Sequence, residues 1–363
     1  MSVGELAPGA GGNGAQAVDV SVLVAVLNEE AFIRDTVAAM RAQRFDGTIE
    51  FLFMEGRSED RTREILQERA LEDPRLRIVD NPARQLASGL NVGLREARGE
   101  FVVQMDAHTY YPPDYIARGV ERLRRGDVSW VSGPPIPHGV NTWSRRIALA
   151  LDSWLGTGGS NKWPSRLEAA ASDDRNGNEI ELDTSVFAGI WRRSMLETLG
   201  GWDEGWPVNH DSELAARVLK AGGRIVCLPE LGSRYVPRAS LGGLARQYFR
   251  YGYYRAKTSV RHPESMRRSH LLSPGLTITI AASFVAPPPV RRPARAGALL
   301  YLLAVVAASL KASRRGKPGD VAALPAVFLT MHIAWGVGFV TGCARFGPPL
   351  RAITRSVGLA PRR

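Results

Sequence analysis

Apolar residues change rhythm repeatedly over the first hundred positions. "VSVLVAVL" (20–27) is a continuous Val-rich run, suited to a strand covered on both faces of a parallel sheet. "NEEAFIRDTVAAMRAQ" then spaces Phe32, Val37 and Met40 as a helix does, with Asn28 as its candidate cap. "TIEFLFME" (48–55), "LRIVDN" (76–81) and "EFVVQMD" (100–106) read as three further strands. Between them lie helical stretches at 58–73, opened by Ser58 or Asp60, and at 85–98. Strands alternating with helices predict an α/β fold with a doubly wound, mostly parallel sheet.

In such sheets ligands bind beyond the carboxyl ends of the strands. Asn28 and Glu29 follow the first strand, Glu55 ends the second, and Asp106 and His108 end the fourth. No Gly-x-Gly-x-x-Gly follows the first strand and no Walker lysine loop is present, so phosphate is handled in another way. A divalent cation held by Asp106 would do this, because Mg²⁺ commonly uses one or two carboxylates plus substrate phosphates. The other reading makes Asp106 a simple cap on its turn.

Charge separates the chain into two parts. Residues 266–363 carry 14 Lys or Arg and one acid, Asp320, whereas residues 1–265 carry 33 basic and 35 acidic side chains. A nucleic-acid partner would place the basic surface on the folded body, so none is expected, and a basic tail fits anionic lipid. The tail has apolar runs at 271–290, 296–310 and 321–344, punctuated by "RRPAR", "KASRRGK" and "RFGPPLR". The first and third reach the roughly 17–25 residues of a spanning helix and the second falls short. The alternatives are core helices of a soluble domain, or a run lying in the interface. Cys227 and Cys343 are the only cysteines, so no disulfide framework exists. Residues 1–19 read as a flexible leader, 20–265 as the catalytic domain and 266–363 as a membrane-associated tail of two or three helices.

Five segments in order, "VAVLNEE", "EGRSEDRT", "ASGLNVGLREARGEFVVQMDAHTYYPPDYI", "GGWDEGWPVNHDSELAARVLKAGG" and "RQYFRYG", resemble family 2 glycosyltransferases of the GT-A fold. The "MDAH" sequence and "SRYVPRASLGGLARQYFRYGYYRAK" are most similar to the succinoglycan and exopolysaccharide branch. The resemblance implies that Ala25, Leu27 and Glu29 contact the nucleotide base and that Glu55 and Ser58 continue that pocket, with Glu55 standing where the family has Asp. The family's Asp-x-Asp metal motif is here Asp106-Ala107-His108. Asp106 would ligate Mn²⁺ or Mg²⁺, and His108 is either a further ligand, which would favour Mn²⁺, or a hydrogen-bond donor near the diphosphate. Gly189 would lie close to the donor sugar, and Trp202 and Asp203 near the acceptor, a buried structural Trp202 being the alternative. Asp211 matches the general base, against a plain helix cap, with His210 replacing the usual Glu. Gln247, Arg250 and Tyr251 match a Gln-x-x-Arg-Trp motif that serves the acceptor or the diphosphate, although the same aromatics suit an interfacial helix. Residues 152–183 read as a loop over the site or a long insertion.

The expectation is therefore an inverting enzyme at the cell membrane, its catalytic domain cytoplasmic, moving a sugar from a nucleotide donor such as a UDP-sugar to a lipid-linked saccharide. The alternatives are a processive polysaccharide synthase and a non-catalytic nucleotide-sugar-binding scaffold.

Overall fold

The computed structural model describes residues 17–157 and 179–358, so most of the expected leader and most of the 152–183 loop lie outside the described residues. Its main sheet has eight strands in the order β3-β2-β1-β4-β9-β6-β10-β8. These are β1 (Val20–Val26), β2 (Ile49–Glu55), β3 (Leu76–Asp80), β4 (Phe101–Gln104), β6 (Trp130–Ser132), β8 (Ile180–Leu182), β9 (Gly189–Arg192) and β10 (Ile225–Cys227). A smaller sheet joins β5 (Thr109–Tyr110), β11 (Ser233–Tyr235) and β7 (Pro135–Pro137). β3, β2, β1 and β4 run parallel, and β9 enters antiparallel between β4 and β6.

The continuous apolar run of β1 is covered on both faces. Val20, Val22, Val24 and Val26 face a core shared with helices α1 (Ile33–Arg41), α2 (Thr62–Glu72) and α4 (Tyr115–Arg124). Leu23 faces the other core with Leu52, Met54 and helix α3 (Leu86–Glu96). Register puts Val26 opposite Glu55 and Glu55 opposite Asp80, so the strands end level and their exit loops form one edge.

The tail departs from the expected runs. The first ends early, in a helix Leu272–Val285, because Ala286 turns extended before three prolines. The second is not short: helix Pro288–Ser313 passes through "RRPAR", with Pro288 at its start. The third forms helix Asp320–Phe346, and these last two are long and apolar enough to cross a membrane. A 21-residue helix, Leu241–Arg261, here called the tyrosine helix, packs along Asp320–Phe346 on a glycine seam. A Cβ on Gly252 would meet Trp335 O at 1.9 Å, one on Gly338 would meet Phe249 O at 2.1 Å, and one on Gly342 would meet Tyr253 O at 2.5 Å.

Candidate active site

Two non-glycine residues at the strand exits hold left-handed backbone, Asn28 (φ 56°) and Arg57 (φ 55°). Each costs roughly 1–2 kcal/mol, so the surroundings must enforce it. The two turns enforce each other. Asn28 N–H donates to Ser58 Oγ at 3.0 Å, Glu59 N–H returns to Asn28 Oδ1 at 2.8 Å, and Glu29 N–H donates to Thr62 Oγ1 at 2.8 Å. Beneath them Glu55 is fully buried and accepts from Ser58 N–H at 2.7 Å, Arg57 N–H at 3.2 Å and the Arg63 guanidinium at 3.1 Å. This corrects the expectation that Glu55 faces a nucleoside, because its carboxylate is used inside the loop that it shapes. Ser58 accepts at its oxygen and retains its O–H for a ligand, and Ala25, Leu27 and Glu29 lie half-buried on the same edge.

Asp106 lies two residues past the end of β4. Its N–H donates to the Tyr111 hydroxyl at 3.0 Å, and one of its carboxylate oxygens accepts from Gln104 Nε2 at 3.2 Å. Ala107 is pinned through its carbonyl by the Thr36 hydroxyl, which turns His108 back toward β1. His108 Nδ1 then sits 3.2 Å from Glu29 Oε1. Desolvation works against a charged ring there, but the Glu29 hydrogen bond and the Asp106 and Glu29 charges outweigh it and hold His108 above the ordinary imidazole pKa. Arg238, from the loop after β11, opposes them electrostatically and so also faces this site.

Across the cleft, Asp211 lies in the first turn of helix His210–Lys220, where the backbone N–H groups favour a carboxylate. Asn209 before it is left-handed (φ 62°) and is held by its Nδ2 donating to Tyr251 O at 3.1 Å. Ser185 Oγ donates to Asp211 Oδ2 at 3.0 Å, and Arg255 Nη2 donates to Ser212 Oγ at 3.0 Å. Burial pulls the Arg255 guanidinium below its ordinary pKa while the Asp211 charge pulls it back. Neither Ser185 nor Arg255 stood out in the sequence. The available signal was Arg255 four residues after Tyr251, hence on the same helical face.

The tyrosine helix joins the two halves. Burial first, then the charge of Asp211 and also that of Asp106, raise the Tyr251 hydroxyl pKa, so both carboxylates lie near it. Gln247 Nε2 donates to that hydroxyl at 2.9 Å. Arg250 is elsewhere: with Arg246 and Phe249 it borders an apolar groove against Leu329, Ile333 and Val337 of helix Asp320–Phe346. Arg250 is turned from Tyr251 by about 100° around the helix axis.

Three further candidates have defined places in the fold. Trp202 is core, 2% exposed, edge-on to Trp191 at 5.6 Å, with its N–H donating to Asn91 Oδ1. Asp203 closes its own turn by accepting from Gly205 N–H at 2.9 Å. A Cβ on Gly189 would strike Trp191 at 2.2 Å and Trp130 Nε1 at 2.4 Å, so indole packing requires glycine there.

Among the described residues no three His, Cys, Asp or Glu converge as a metal cage. The donors at this edge are the Asp106 carboxylate and the His108 ring, a mixed oxygen and nitrogen pair that fits Mn²⁺ when a ligand's phosphate oxygens complete the shell.

The mixed α/β sheet with its polar strand-exit edge is GT-A-like, the architecture of a glycosyltransferase. The chain belongs to glycosyltransferase family 2: the family model, "Glycosyl transferase family 2", matches residues 21–199. It is 30% identical over 335 residues to the succinoglycan biosynthesis protein ExoA of Rhizobium meliloti, covering 88% of this chain and 93% of that protein. It is 29% identical over 187 residues to an undecaprenyl-phosphate 4-deoxy-4-formamido-L-arabinose transferase of Pseudomonas paraeruginosa, covering 50% of this chain and 49% of that one. Among solved structures it is similar to a mannosyltransferase of Pyrobaculum calidifontis in complex with GDP-Man and Mn²⁺. That pair shares 21% identity and a TM-score of 0.48, covering 96% of this chain and 91% of the other, a distance at which no residue placement transfers. The family match ends before Asp211.

Proposed function

We propose that this enzyme transfers a sugar, with inversion, from a nucleoside-diphosphate sugar, UDP being the base expected, to a lipid-linked saccharide of an exopolysaccharide or envelope glycan. The observation that carries the reading is that Asp106, beside His108 past the end of β4, and Asp211, at a helix start, both lie near enough to Tyr251 for their charges to raise its hydroxyl pKa. Single displacement needs one base, which takes the proton of the attacking hydroxyl as that oxygen bonds to the anomeric carbon and the nucleoside diphosphate leaves from the other face. Asp211 takes that proton. Ser185 fixes its carboxylate, and Arg255, tied to Ser212, keeps a cation beside it. Asp106 and His108 would hold a divalent ion, which when bound would neutralise charge on the diphosphate. Arg238 adds a positive charge to the same edge.

The acceptor assignment is supported by the names of two relatives, one in succinoglycan biosynthesis and one an undecaprenyl-phosphate transferase. It is also supported by the groove of about 670 Å³ beside Arg246 and Arg250, which offers apolar walls to a lipid chain and two guanidinium groups to its phosphate. Calorimetric titration of UDP-, GDP- and dTDP-sugars with Mn²⁺, then with chelator, tests the donor side. One base class binding only with metal is expected, and binding that ignores the chelator would remove the metal from the account.

A further inference from the structure

By length and composition, helices Pro288–Ser313 and Asp320–Phe346 pass as membrane spans, which would make the tail a two-pass anchor. The packing says otherwise. We infer that the tail never crosses the bilayer: helices Leu272–Val285, Pro288–Ser313 and Asp320–Phe346 form one layer sunk into a single anionic leaflet, with every connection on the same side.

The first argument is that Asp320–Phe346 touches the catalytic body at both ends. At its start Asp320 is fully buried and pairs with Arg145 and Arg146 of helix Thr142–Leu151, each at 3.0 Å. At its end Phe346 packs on Tyr253 at 5.0 Å and Tyr254 at 6.5 Å. Between these points the glycine seam holds it beside the tyrosine helix, in the same direction, from Phe249 against Gly338 to Tyr253 against Gly342. The tyrosine helix carries Arg246, Arg250, Arg255, Lys257 and Arg261, and is bonded to Asn209 and Ser212 next to Asp211. A spanning Asp320–Phe346 would drag those cations and the active-site helix into hydrocarbon, where each charge costs at least about 2.5 kcal/mol.

The hairpin before it also fails to span. Leu272–Val285 has 14 residues, about 21 Å of helix against a hydrocarbon core of about 30 Å. The turn it leads to is followed at once by Arg291, Arg292 and Arg295. The far end returns to the body, where Arg315 pairs with Asp152 at 2.8 Å. After the layer, Arg268 Nε donates to Ser356 O at 2.7 Å, so the chain leaves where it entered.

What the layer offers outward suits a leaflet. Thirteen of the twenty exposed large apolar side chains among the described residues lie between 272 and 340, Phe284, Val285 and Leu300 being at least 70% exposed. A patch of this kind needs covering. The basic excess of residues 266–363 selects phosphate headgroups, as amphipathic interfacial segments do. This inference does not depend on which sugar or acceptor the enzyme uses.

Three single cysteines, replacing Arg292, Lys317 and Leu350 in a Cys227→Ser, Cys343→Ser chain that keeps the parent's thermal unfolding, test it in inverted inner-membrane vesicles and in intact spheroplasts. All three should react with a membrane-impermeant maleimide in the same preparation, and none in the other until detergent is added. Opposite labelling of Arg292→Cys and Lys317→Cys, or of Lys317→Cys and Leu350→Cys, would show a span between them and overturn the inference. Flotation with phosphatidylglycerol vesicles should exceed flotation with phosphatidylcholine at least tenfold at low salt, and equal flotation with both would refute the anionic leaflet.

Discussion

Gly252→Ala is the most informative small change outside the cleft. The added Cβ would stand 1.9 Å from Trp335 O, where ordinary contact begins at 3.4 Å, so the tyrosine helix and helix Asp320–Phe346 must part by about 1.5 Å. Overpacking of this size costs roughly 1–3 kcal/mol, offset by up to about 1 kcal/mol from the better helix propensity of alanine. A net loss near 1–2 kcal/mol should lower the melting temperature by a few degrees. The functional effect should be larger than the stability effect. Gln247, Tyr251 and Arg255 reach the cleft from this helix, and a shift of about 1 Å at a positioning group costs on the order of a hundredfold in rate. The assay is kcat with saturating donor in detergent or nanodiscs, beside a calorimetric melt. Unchanged melting and unchanged turnover together would mean that the seam is not packed as described and that the helix does not aim those side chains.

Two further changes address the edges of the site. Replacing Arg246 and Arg250 together with Gln should raise KM for a polyprenyl-phosphate acceptor by about tenfold for each charged hydrogen bond lost, at roughly 1.5 kcal/mol apiece, and leave donor binding untouched; an equal effect on a lipid-free saccharide acceptor would place both arginines elsewhere. His108, held above its ordinary pKa, adds stability that is complete below the unfolded value near 6.5 and is lost as pH rises through the folded value. In chelator-treated, donor-free enzyme the melting advantage of wild type over His108→Gln should therefore shrink between about pH 6 and 8, and an advantage that grows would reverse the assigned charge.

Sequence alone placed the candidate residues that sit on regular elements. Asp106 and His108 were legible at the ligand edge because a buried strand ends there, and Asp211 was legible at a helix start, its role as base being what the family resemblance implies. Residues placed by tertiary choices were not. Trp202 packs edge-on against Trp191, 11 positions away in the chain, which in turn packs on Trp130, and nothing in "GGWDEGW" announces them. Arg250 and Arg255 share one helix, and only the docking of Asp320–Phe346 decides which of them meets the cleft. Counting apolar runs divided the tail at "RRPAR", where the helix in fact continues because Arg292 stays exposed and Arg291 half-exposed.

The central claim is that Asp211 acts as the base opposite a departing nucleoside diphosphate. Asp211→Asn keeps the shape and leaves Ser185 an oxygen to donate to, so donor binding with Mn²⁺ should stay within about twofold of wild type while kcat falls by roughly 10²–10⁴. Turnover near the wild-type rate with intact donor binding would contradict the account.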